Sequence, residues 1–196
     1  MSKIITVSDD TFAKIKEQFG SENIKEKTEK KLEIKNRFTG GIIFSSNKTT
    51  YKEAVEEAVS KDAYLRGAYL KGAYLEDVNL RGTYLEGAYL EGANLKGANL
   101  EGVNLRGADL EGVNLEGADL RGADLRGANL EGVNLEGVNL KSVNLRGADL
   151  KGANLEGAYL ESADFYHAKF YGKGGNTRIT KSQVNNFLTA LGVIVE

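Results

Sequence analysis

The stretch Ala-Asp-Leu-Arg-Gly at residues 123–127 is one of 22 consecutive five-residue repeats, or pentads, that run unbroken from residue 63 to residue 172. The central residue is Leu in every pentad from Leu65 to Leu160, and Phe in the last two. Two residues earlier stands Ala or Val, with a single Thr, and the residue between is Asn or Asp in 15 pentads and Tyr in six. A residue that is usually charged follows, and then Gly in 18 pentads. Repetition this regular decides the architecture of the segment.

The pentad spacing excludes both an α-helix and a straight strand. Five residues at about 100° each rotate successive leucines by roughly 500°, so the leucines form no stripe on a helix. An odd period also sends successive leucines to opposite faces of a strand. One bend per pentad removes the conflict, because Ala and Leu then point inward and the residue between them points outward. The sequence therefore predicts an all-β solenoid of stacked coils, with Gly at each corner.

The pentads Ala-Asp-Leu-Arg-Gly (123–127), Ala-Asn-Leu-Lys-Gly (93–97) and Val-Asn-Leu-Glu-Gly (133–137) resemble the motif of the pentapeptide repeat family. The resemblance covers 110 of the 196 residues. It implies a right-handed quadrilateral β-helix with four pentads in each coil. The periodicity does not itself select four, because the alternation of charge fits a spacing of 15 or 20 residues about equally well.

The segments around the repeat predict covers for its two open ends, which would otherwise expose apolar core and unpaired backbone. Residues 1–31 predict an N-terminal strand and helix segment, with the strand expected at 4–7 and the helix at 10–19. Residues 32–62 predict an N-terminal cap, made of a hairpin (32–38 and 42–46) and a helix. Thr50 and Glu53 have the spacing of a capping box, which opens that helix and carries it through Val59.

Residues 173–196 predict a C-terminal helical cap. Thr180 and Gln183 have capping-box spacing, and the helix that they open carries four apolar residues on one side: Val184, Phe187, Leu188 and Leu191. Two interpretations of this apolar side remain open. In the first it only covers the last coil, and in the second it also forms a twofold homodimer contact, as the family resemblance suggests.

Composition narrows the classes of protein to which the chain can belong. Lys and Arg number 26 against 28 Asp and Glu, which argues against direct nucleic-acid binding and against membrane association. The first residues contain no apolar leader, so a cytoplasmic location is expected. His167 is the single histidine and the chain has no Cys, and no phosphate-binding loop or nucleophile elbow is present. We therefore expect a protein that is not an enzyme, with no catalytic, cofactor or metal site.

Two groups of outward residues are candidates for an interaction surface. The first group is a cluster of tyrosines in the first coils. We expect them to pack under the N-terminal hairpin and helix, although exposed aromatic ladders are also typical of binding surfaces. The cluster consists of Tyr64, Tyr69, Tyr74, Tyr84 and Tyr89.

The second group is defined by charge. With four pentads per coil, residues 20 apart stack in one column. Two adjacent corner columns, with their neighbouring outward residues, then carry about −6, against about +1 for the other two. The resulting acidic stripe is centred on five glutamates: Glu91, Glu111, Glu131, Glu116 and Glu136.

Two functions are compatible with this sequence. The first is a non-catalytic, rod-like interaction or scaffold protein with an unidentified protein partner. The alternative, implied by the family resemblance, is a DNA mimic that binds a type II topoisomerase (DNA gyrase) and protects it from quinolones. Such a mimic needs a broadly acidic surface, and the repeat carries a net charge of only −5, from 11 basic and 16 acidic residues.

Overall fold

The computed structural model of the protein describes residues 31–170 and 184–190. These residues belong to one compact unit, 31–196. The order of elements is β1 (Leu32–Lys35), β2 (Ile42–Ser46), α1 (Tyr51–Ser60), the repeat, and α2 (Val184–Ala190). In the part of the chain so described, no helix is both long and apolar enough to cross a membrane.

The repeat forms a β-solenoid in which each outward residue from Tyr69 to Asp149 pairs in parallel with the residue 20 positions later. The pairs run from Tyr69 with Tyr89 to Asp149 with Lys169, and none is out of register. A register of 20 corresponds to four pentads per coil, the number that the family resemblance implies. Each corner from 66–67 to 166–167 is a turn, so the chain bends four times in each coil.

The backbone donors of a pentad explain its sequence one by one, as 123–127 illustrates. The N–H of Ala123 donates within the turn to the Leu120 carbonyl at 2.9 Å. The N–H groups of residues 124, 125 and 127 donate to carbonyls of the coils on either side at 2.8–2.9 Å. The fifth donor is the N–H of Arg126, which points at no backbone carbonyl and donates to the Asp124 Oδ1 at 3.2 Å. Asn or Asp at the outward position therefore completes the hydrogen bonding of the pentad.

The interior is a stack of apolar columns. Every Leu from Leu65 to Leu160 is buried, and so are the Ala and Val residues from Ala68 to Ala163. The corner residue has a positive φ, for example +65° at Gly127, which explains why Gly is preferred there. Four described corners hold another residue in the same left-handed region, at φ of 54–58°: Asp77, Ser142, Ser162 and His167.

The hairpin predicted before the repeat is present, with β1 ending three residues earlier than expected. Strands β1 and β2 pair antiparallel with Ile34 opposite Phe44, and the register shifts between Ile34 and Lys35. After Lys35 the chain leaves β2 and turns to the first coil: Tyr69 donates its N–H to the Lys35 carbonyl at 2.7 Å, and Asn36 bridges to Ala68. The hairpin turn itself begins at Asn36, whose Oδ1 accepts the N–H groups of Phe38 and Thr39 at 2.9 and 3.1 Å. This turn ends β1 before residue 38.

Helix α1 begins and packs as its sequence predicts. The Thr50 side chain accepts a hydrogen bond from the N–H of Glu53 at 3.2 Å, and its hydroxyl contacts the Glu53 carboxylate at 3.0 Å. The helix ends at Ser60, one residue beyond the expected end. Val55 and Ala58 are buried in the same apolar cluster as Leu65 of the first coil, so α1 and the repeat share one core.

Helix α2 lies against the last coil of the repeat through one aromatic ring. The Phe187 ring centroid lies 5.8 Å from that of Phe165 and 5.1 Å from that of Phe170. Phe187 is half-buried by these contacts. The predicted capping box at Thr180 and Gln183, the predicted contact residue Leu191, and the elements predicted at 4–7 and 10–19 lie outside the described residues.

Candidate interaction surfaces

The glutamates of the acidic stripe stack in two neighbouring corner columns. In the first column, the Gly112 N–H donates to the Glu131 carbonyl at 2.9 Å, and the Gly92 N–H to the Glu111 carbonyl at 2.8 Å. Equivalent bonds join Gly97 to Glu116 and Gly117 to Glu136 in the second column, at 2.9 and 3.1 Å. Each glutamate therefore lies one coil, roughly 4.8 Å, from the next residue of its column.

Two of the five glutamates are neutralised by lysines of their own columns. Lys71 Nζ lies 3.0 Å from the Glu91 carboxylate, and Lys96 Nζ lies 2.8 Å from that of Glu116. The Tyr89 hydroxyl also donates to Glu91, and this bond, followed by Lys71, lowers the pKa of that carboxyl. The pKa of the Lys96 ammonium is raised, mainly by its hydrogen bond with Glu116. The two glutamates of the stripe that lie nearest the first coils are therefore paired with cations.

The other three glutamates, Glu111, Glu131 and Glu136, form no ion pair with a described residue. Amide groups approach two of them instead. The Asn129 side chain donates to the Asp109 Oδ1 at 3.1 Å and to the Glu111 Oε2 at 3.4 Å. The Asn154 side chain donates to the Glu136 Oε2 at 3.4 Å. These bonds orient the carboxylates without neutralising them. Glu131 alone has a cation next to it in its column, Lys151, whose ammonium pairs with Asp149 at 2.8 Å.

The corner columns on the rest of the coil are rich in ion pairs. Arg81 and Arg121 both lie 3.3 Å from the Glu101 carboxylate, from the coils above and below it. Lys141 pairs with Glu161 at 2.5 Å. Alternating charge therefore gives a ladder of ion pairs in the column of Glu101. The neighbouring column stacks Arg106, Arg126 and Arg146, and outward aspartates pair with the last two. The three glutamates of the stripe have no such ion pair.

The tyrosine cluster is stacked as predicted but is not covered as predicted. Tyr64 and Tyr84 stack with their ring centroids 5.7 Å apart, and Tyr69 and Tyr89 stack at 5.4 Å. Only Tyr89 is substantially covered, because the Arg37 guanidinium lies over its ring at 4.6 Å. Tyr64 remains 71% exposed and Tyr74 81% exposed. The expectation that the cluster packs under the hairpin and α1 is wrong for most of it, because the hairpin lies along one side of the coil only.

A tyrosine at the outward position also lacks the hydrogen bond that Asn and Asp accept there from the backbone. All 15 Asn and Asp residues of this position accept the N–H two residues later through Oδ1, as Asn114 does from Glu116 at 3.1 Å. A tyrosine ring cannot replace this acceptor. The exposed tyrosines therefore contribute ring contacts to their columns in place of this hydrogen bond.

The residues predicted for the C-terminal contact differ in how far the structure buries them. Phe187 packs on the last coil and Leu188 is partly buried, whereas Val184 is exposed.

His167 occupies a corner with φ of 58°, and its ring contacts the Tyr166 ring with the centroids 4.0 Å apart. In residues 31–170 and 184–190, no group of three or more acidic, His or Cys side chains is placed to hold a metal ion.

Comparison with known proteins identifies the repeat. The family model described as "Pentapeptide repeats (8 copies)" matches residues 61–97, 98–137 and 139–172, more than half of the chain. This chain belongs to the pentapeptide repeat family. No curated protein matches the pentapeptide repeat protein described here.

Solved structures of other pentapeptide repeat proteins resemble parts of it. Rfr23 from the cyanobacterium Cyanothece 51142 is 39% identical over 48% of this chain, with a TM-score of 0.46, and this pentapeptide repeat protein covers only 64% of the Rfr23 chain. The protein alr5209 from Nostoc PCC 7120 is 29% identical over 67% of this chain and 96% of its own, with a TM-score of 0.30. A trypsin-treated variant of QnrB1, a plasmid-mediated fluoroquinolone resistance protein, is 17% identical over 65% of this chain and 92% of its own, with a TM-score of 0.29.

Proposed function

We propose that the repeat is a non-catalytic interaction rod whose acidic stripe binds a basic surface of a protein partner. The observation that carries this proposal is the stacking of Glu111 on Glu131, next to Glu136, with no cation between them. Like charges one coil apart repel each other, modestly at an exposed surface. Ladder stability alone favours the alternating pairs found at Glu101, so the unpaired carboxylates point to a partner that supplies the cations.

We also infer the finer architecture on which this role rests. The winding is right-handed and quadrilateral, as the family resemblance implies, and the two ends are capped. The N-terminal cap is the hairpin with α1, supported by the burial of Ile34 and Val55 in the core of the first coil. The C-terminal cap is α2, supported by the ring contacts of Phe187. A capped rod is a rigid frame that fixes the spacing of the stripe.

A DNA mimic that binds a type II topoisomerase is the second candidate, because the stripe has a suitable charge spacing. Two columns of carboxylates at roughly 4.8 Å per coil give about one charge per 2.4 Å, compared with about one per 1.7 Å along duplex DNA. The repeat as a whole carries far less negative charge than duplex DNA of the same length. About 5.5 coils span roughly 26 Å, a length over which DNA carries about 15 charges, whereas the repeat carries −5. The interaction rod is therefore the function that we propose first.

One pair of charge reversals tests both candidates. Binding to a lysine-rich peptide and inhibition of gyrase supercoiling are measured for the wild-type protein and for Glu111→Lys with Glu131→Lys. We expect wild-type binding to the peptide to weaken steeply between low and physiological salt, because exposed charges are screened. The double reversal should weaken binding at least tenfold, as expected when attraction becomes repulsion at the centre of the contact. Supercoiling inhibition that the reversal removes would favour the DNA mimic.

The matched control changes the same number of charges elsewhere. Glu86→Lys with Glu161→Lys reverses two glutamates of the other pair of columns, where Arg66 and Lys141 are their partners. We expect this variant to bind the peptide nearly as well as the wild-type protein. Equal loss in both variants would show that only net charge matters, and would remove the stripe as the binding site.

A further inference from the structure

The hairpin segment adds a short antiparallel pairing to one side of the first coil. The Tyr69 N–H donates to the Lys35 carbonyl at 2.7 Å. The Arg37 N–H donates to the Gly67 carbonyl, also at 2.7 Å, and the pairing between these bonds is antiparallel. On this side of the solenoid, residues 35–37 therefore take the place that an earlier coil would have.

The next straight stretch of the first coil, residues 72–74, offers the same two backbone groups. The Gly72 carbonyl and the Tyr74 N–H are the equivalents, one pentad later, of the two groups that the hairpin segment binds. Their direction follows from the inner coils, where the Asn94 N–H donates to the coil before it, at the Ala73 carbonyl, at 3.0 Å. No described residue forms a hydrogen bond with the Gly72 carbonyl or the Tyr74 N–H.

This edge of the first coil is open to an approaching chain. A Cβ at Gly67 would meet side chains of the hairpin, whereas nothing lies within 4 Å of a Cβ at Gly72. Tyr74 is 81% exposed, whereas Asn94, the next residue of its column, is only partly exposed. Unpaired backbone groups on an accessible strand edge are a template for pairing with another extended segment.

The side chains beside the edge favour a cation in that segment. Side chains alternate between the two faces of a strand, so a segment that pairs as the hairpin does would place the equivalent of Lys35 opposite Tyr74 on the outer face. On the hairpin side, the Arg37 guanidinium lies over the Tyr89 ring at 4.6 Å. The corner after Tyr74 carries Glu76, whose carboxylate accepts an amide hydrogen bond at 2.6 Å and forms no ion pair with a described residue. An aromatic face and a carboxylate both attract a cation.

We propose that residues 72–74 are a docking site for an extended segment of a partner protein. The segment adds to the first coil as an antiparallel strand, with a Lys or Arg opposite Tyr74. The pairing that the hairpin makes with one side of the coil is thereby continued by the partner on the next side. The following stretch, 77–79, offers the N–H of Asn79 without an aromatic ring and is the weaker place for such a segment.

A peptide with the sequence of residues 32–38 is the probe, because its Lys-Asn-Arg already pairs with an equivalent edge in this protein. NMR spectra of the isotopically labelled full chain follow each amide group as the peptide is added. We expect the Tyr74 amide proton to shift downfield as it becomes hydrogen-bonded, with shifts at residues 72 and 73, at millimolar peptide. Ser in place of both cations of the peptide should weaken binding by about fivefold.

Tyr74→Pro removes the donor and leaves every charge of the protein unchanged, including those of the acidic stripe. The fold loses no hydrogen bond, because this N–H has no partner among the described residues, and Pro is tolerated on a sheet edge. The melting temperature should therefore stay near the wild-type value while the peptide-induced shifts at residues 72 and 73 disappear. Tyr74→Asn is the matched control. It keeps the N–H, so those shifts should persist, with binding weakened by about threefold through loss of the ring.

A second peptide makes the test independent of how the variants fold. N-methylation at its Arg removes the donor to the Gly72 carbonyl, and we expect this peptide not to shift the Tyr74 amide of the wild-type protein. Shifts at residues 72 and 73 that survive Tyr74→Pro, or no shift at Tyr74 with the unmodified peptide, would overturn the proposal. A Tyr74 amide already protected from hydrogen exchange without peptide would also overturn it. Protection at every concentration would mean that the edge is filled without a partner, and protection only at high concentration would assign it to a second copy.

Discussion

Asp124 and Arg126 are joined by two kinds of interaction at once. The backbone N–H of Arg126 donates to the Asp124 Oδ1 at 3.2 Å, and the Arg126 Nε donates to the same oxygen at 2.8 Å. The first bond satisfies the one backbone donor that the ladder of the solenoid leaves free, and the second is an ion pair at the surface. Substitutions of a single residue can therefore separate the contribution of the backbone acceptor from that of the charge.

Asp124→Asn should keep the acceptor and lose the charge, whereas Asp124→Ala should lose both. We expect Asp124→Asn to cost less than about 1 kcal/mol, because surface ion pairs contribute little. Asp124→Ala should cost about 1 kcal/mol more than Asp124→Asn, the contribution of one hydrogen bond. Chemical denaturation of the three proteins gives both differences. Equal stability of the Asn and Ala variants would contradict the role assigned to the outward Asn and Asp residues.

Acid should remove the contribution of the charge at Asp119 and Asp124. The hydrogen bonds from Arg121 and Arg126 hold the pKa of these carboxyls below the usual 3.8. Because the folded-state pKa is the lower one, the stabilisation is fully present above that usual value and is lost as the pH falls through the folded-state pKa. The wild-type melting temperature should therefore fall more steeply in acid than that of Asp119→Asn with Asp124→Asn. Parallel pH profiles would show that these pairs add nothing.

Leu110→Asp should unfold the solenoid, because it places a charge in the middle of an apolar column. Leu110 is fully buried, and a charge there has no partner within the core. Leu110→Met keeps an apolar side chain of similar volume and should cost less than about 1.5 kcal/mol. Circular dichroism during thermal unfolding distinguishes the two variants. Near-wild-type stability of Leu110→Asp would exclude an inward Leu.

Gly97→Ala should be more damaging than Gly117→Ala, although both residues occupy the same column. Both have a positive φ, +67° and +65°, so each substitution introduces similar backbone strain. A Cβ at Gly97 would also meet the Asp77 carboxylate, whereas nothing lies within 4 Å of a Cβ at Gly117. The Asp77 side chain is exposed and can rotate away, so we expect the additional cost to be small. The difference between their midpoints in denaturant measures that cost. Asp77→Gly should remove that difference.

Phe187→Ala should destabilise the C-terminal end by about 3–5 kcal/mol at most, since the ring is only partly buried. It removes the contacts with Phe165 and Phe170 and uncovers the last coil. Val184 is exposed on the same helix, so Val184→Lys should leave the melting temperature unchanged. If α2 also joins two copies, Val184→Lys should shift the sedimentation of the protein from dimer to monomer. A wild-type protein that sediments as a monomer at every concentration would exclude the dimer.

The inward and outward positions follow from the sequence, whereas the size of the coil does not. Five-residue spacing forces a bend in each pentad and therefore buries Leu110 and its equivalents. The number of pentads per coil depends on the hydrogen-bond register between coils, such as Asp109 with Asn129, and a linear pattern of charge fits more than one register. The family resemblance supplies that number, and the structure agrees with it.

The surface is less predictable than the core, for two physical reasons. The columns place Glu91 and Glu111 together, but whether a carboxylate is neutralised depends on the reach of a neighbouring side chain, as Lys71 shows for Glu91. The position of the hairpin decides which tyrosines are covered, and Arg37 reaches Tyr89 alone. Thr83 does leave a signal in the sequence, because it is the only polar residue at the inward position of the repeat.

Because residues 20 apart pair with each other, a change in the number of pentads can alter the surface of this protein without disrupting its core. Duplication of four pentads would add one layer and leave every column as it was. Loss of a single pentad would preserve the core and the hydrogen bonding equally well, yet it would carry every later residue to the next corner. Loss of residues 103–107, for example, would place Glu111 in the column of Arg66 and Glu86. Recombination between repeats can therefore reshuffle the outer face in quarter-turn steps without unfolding the chain, and new recognition surfaces become accessible to evolution at little structural risk.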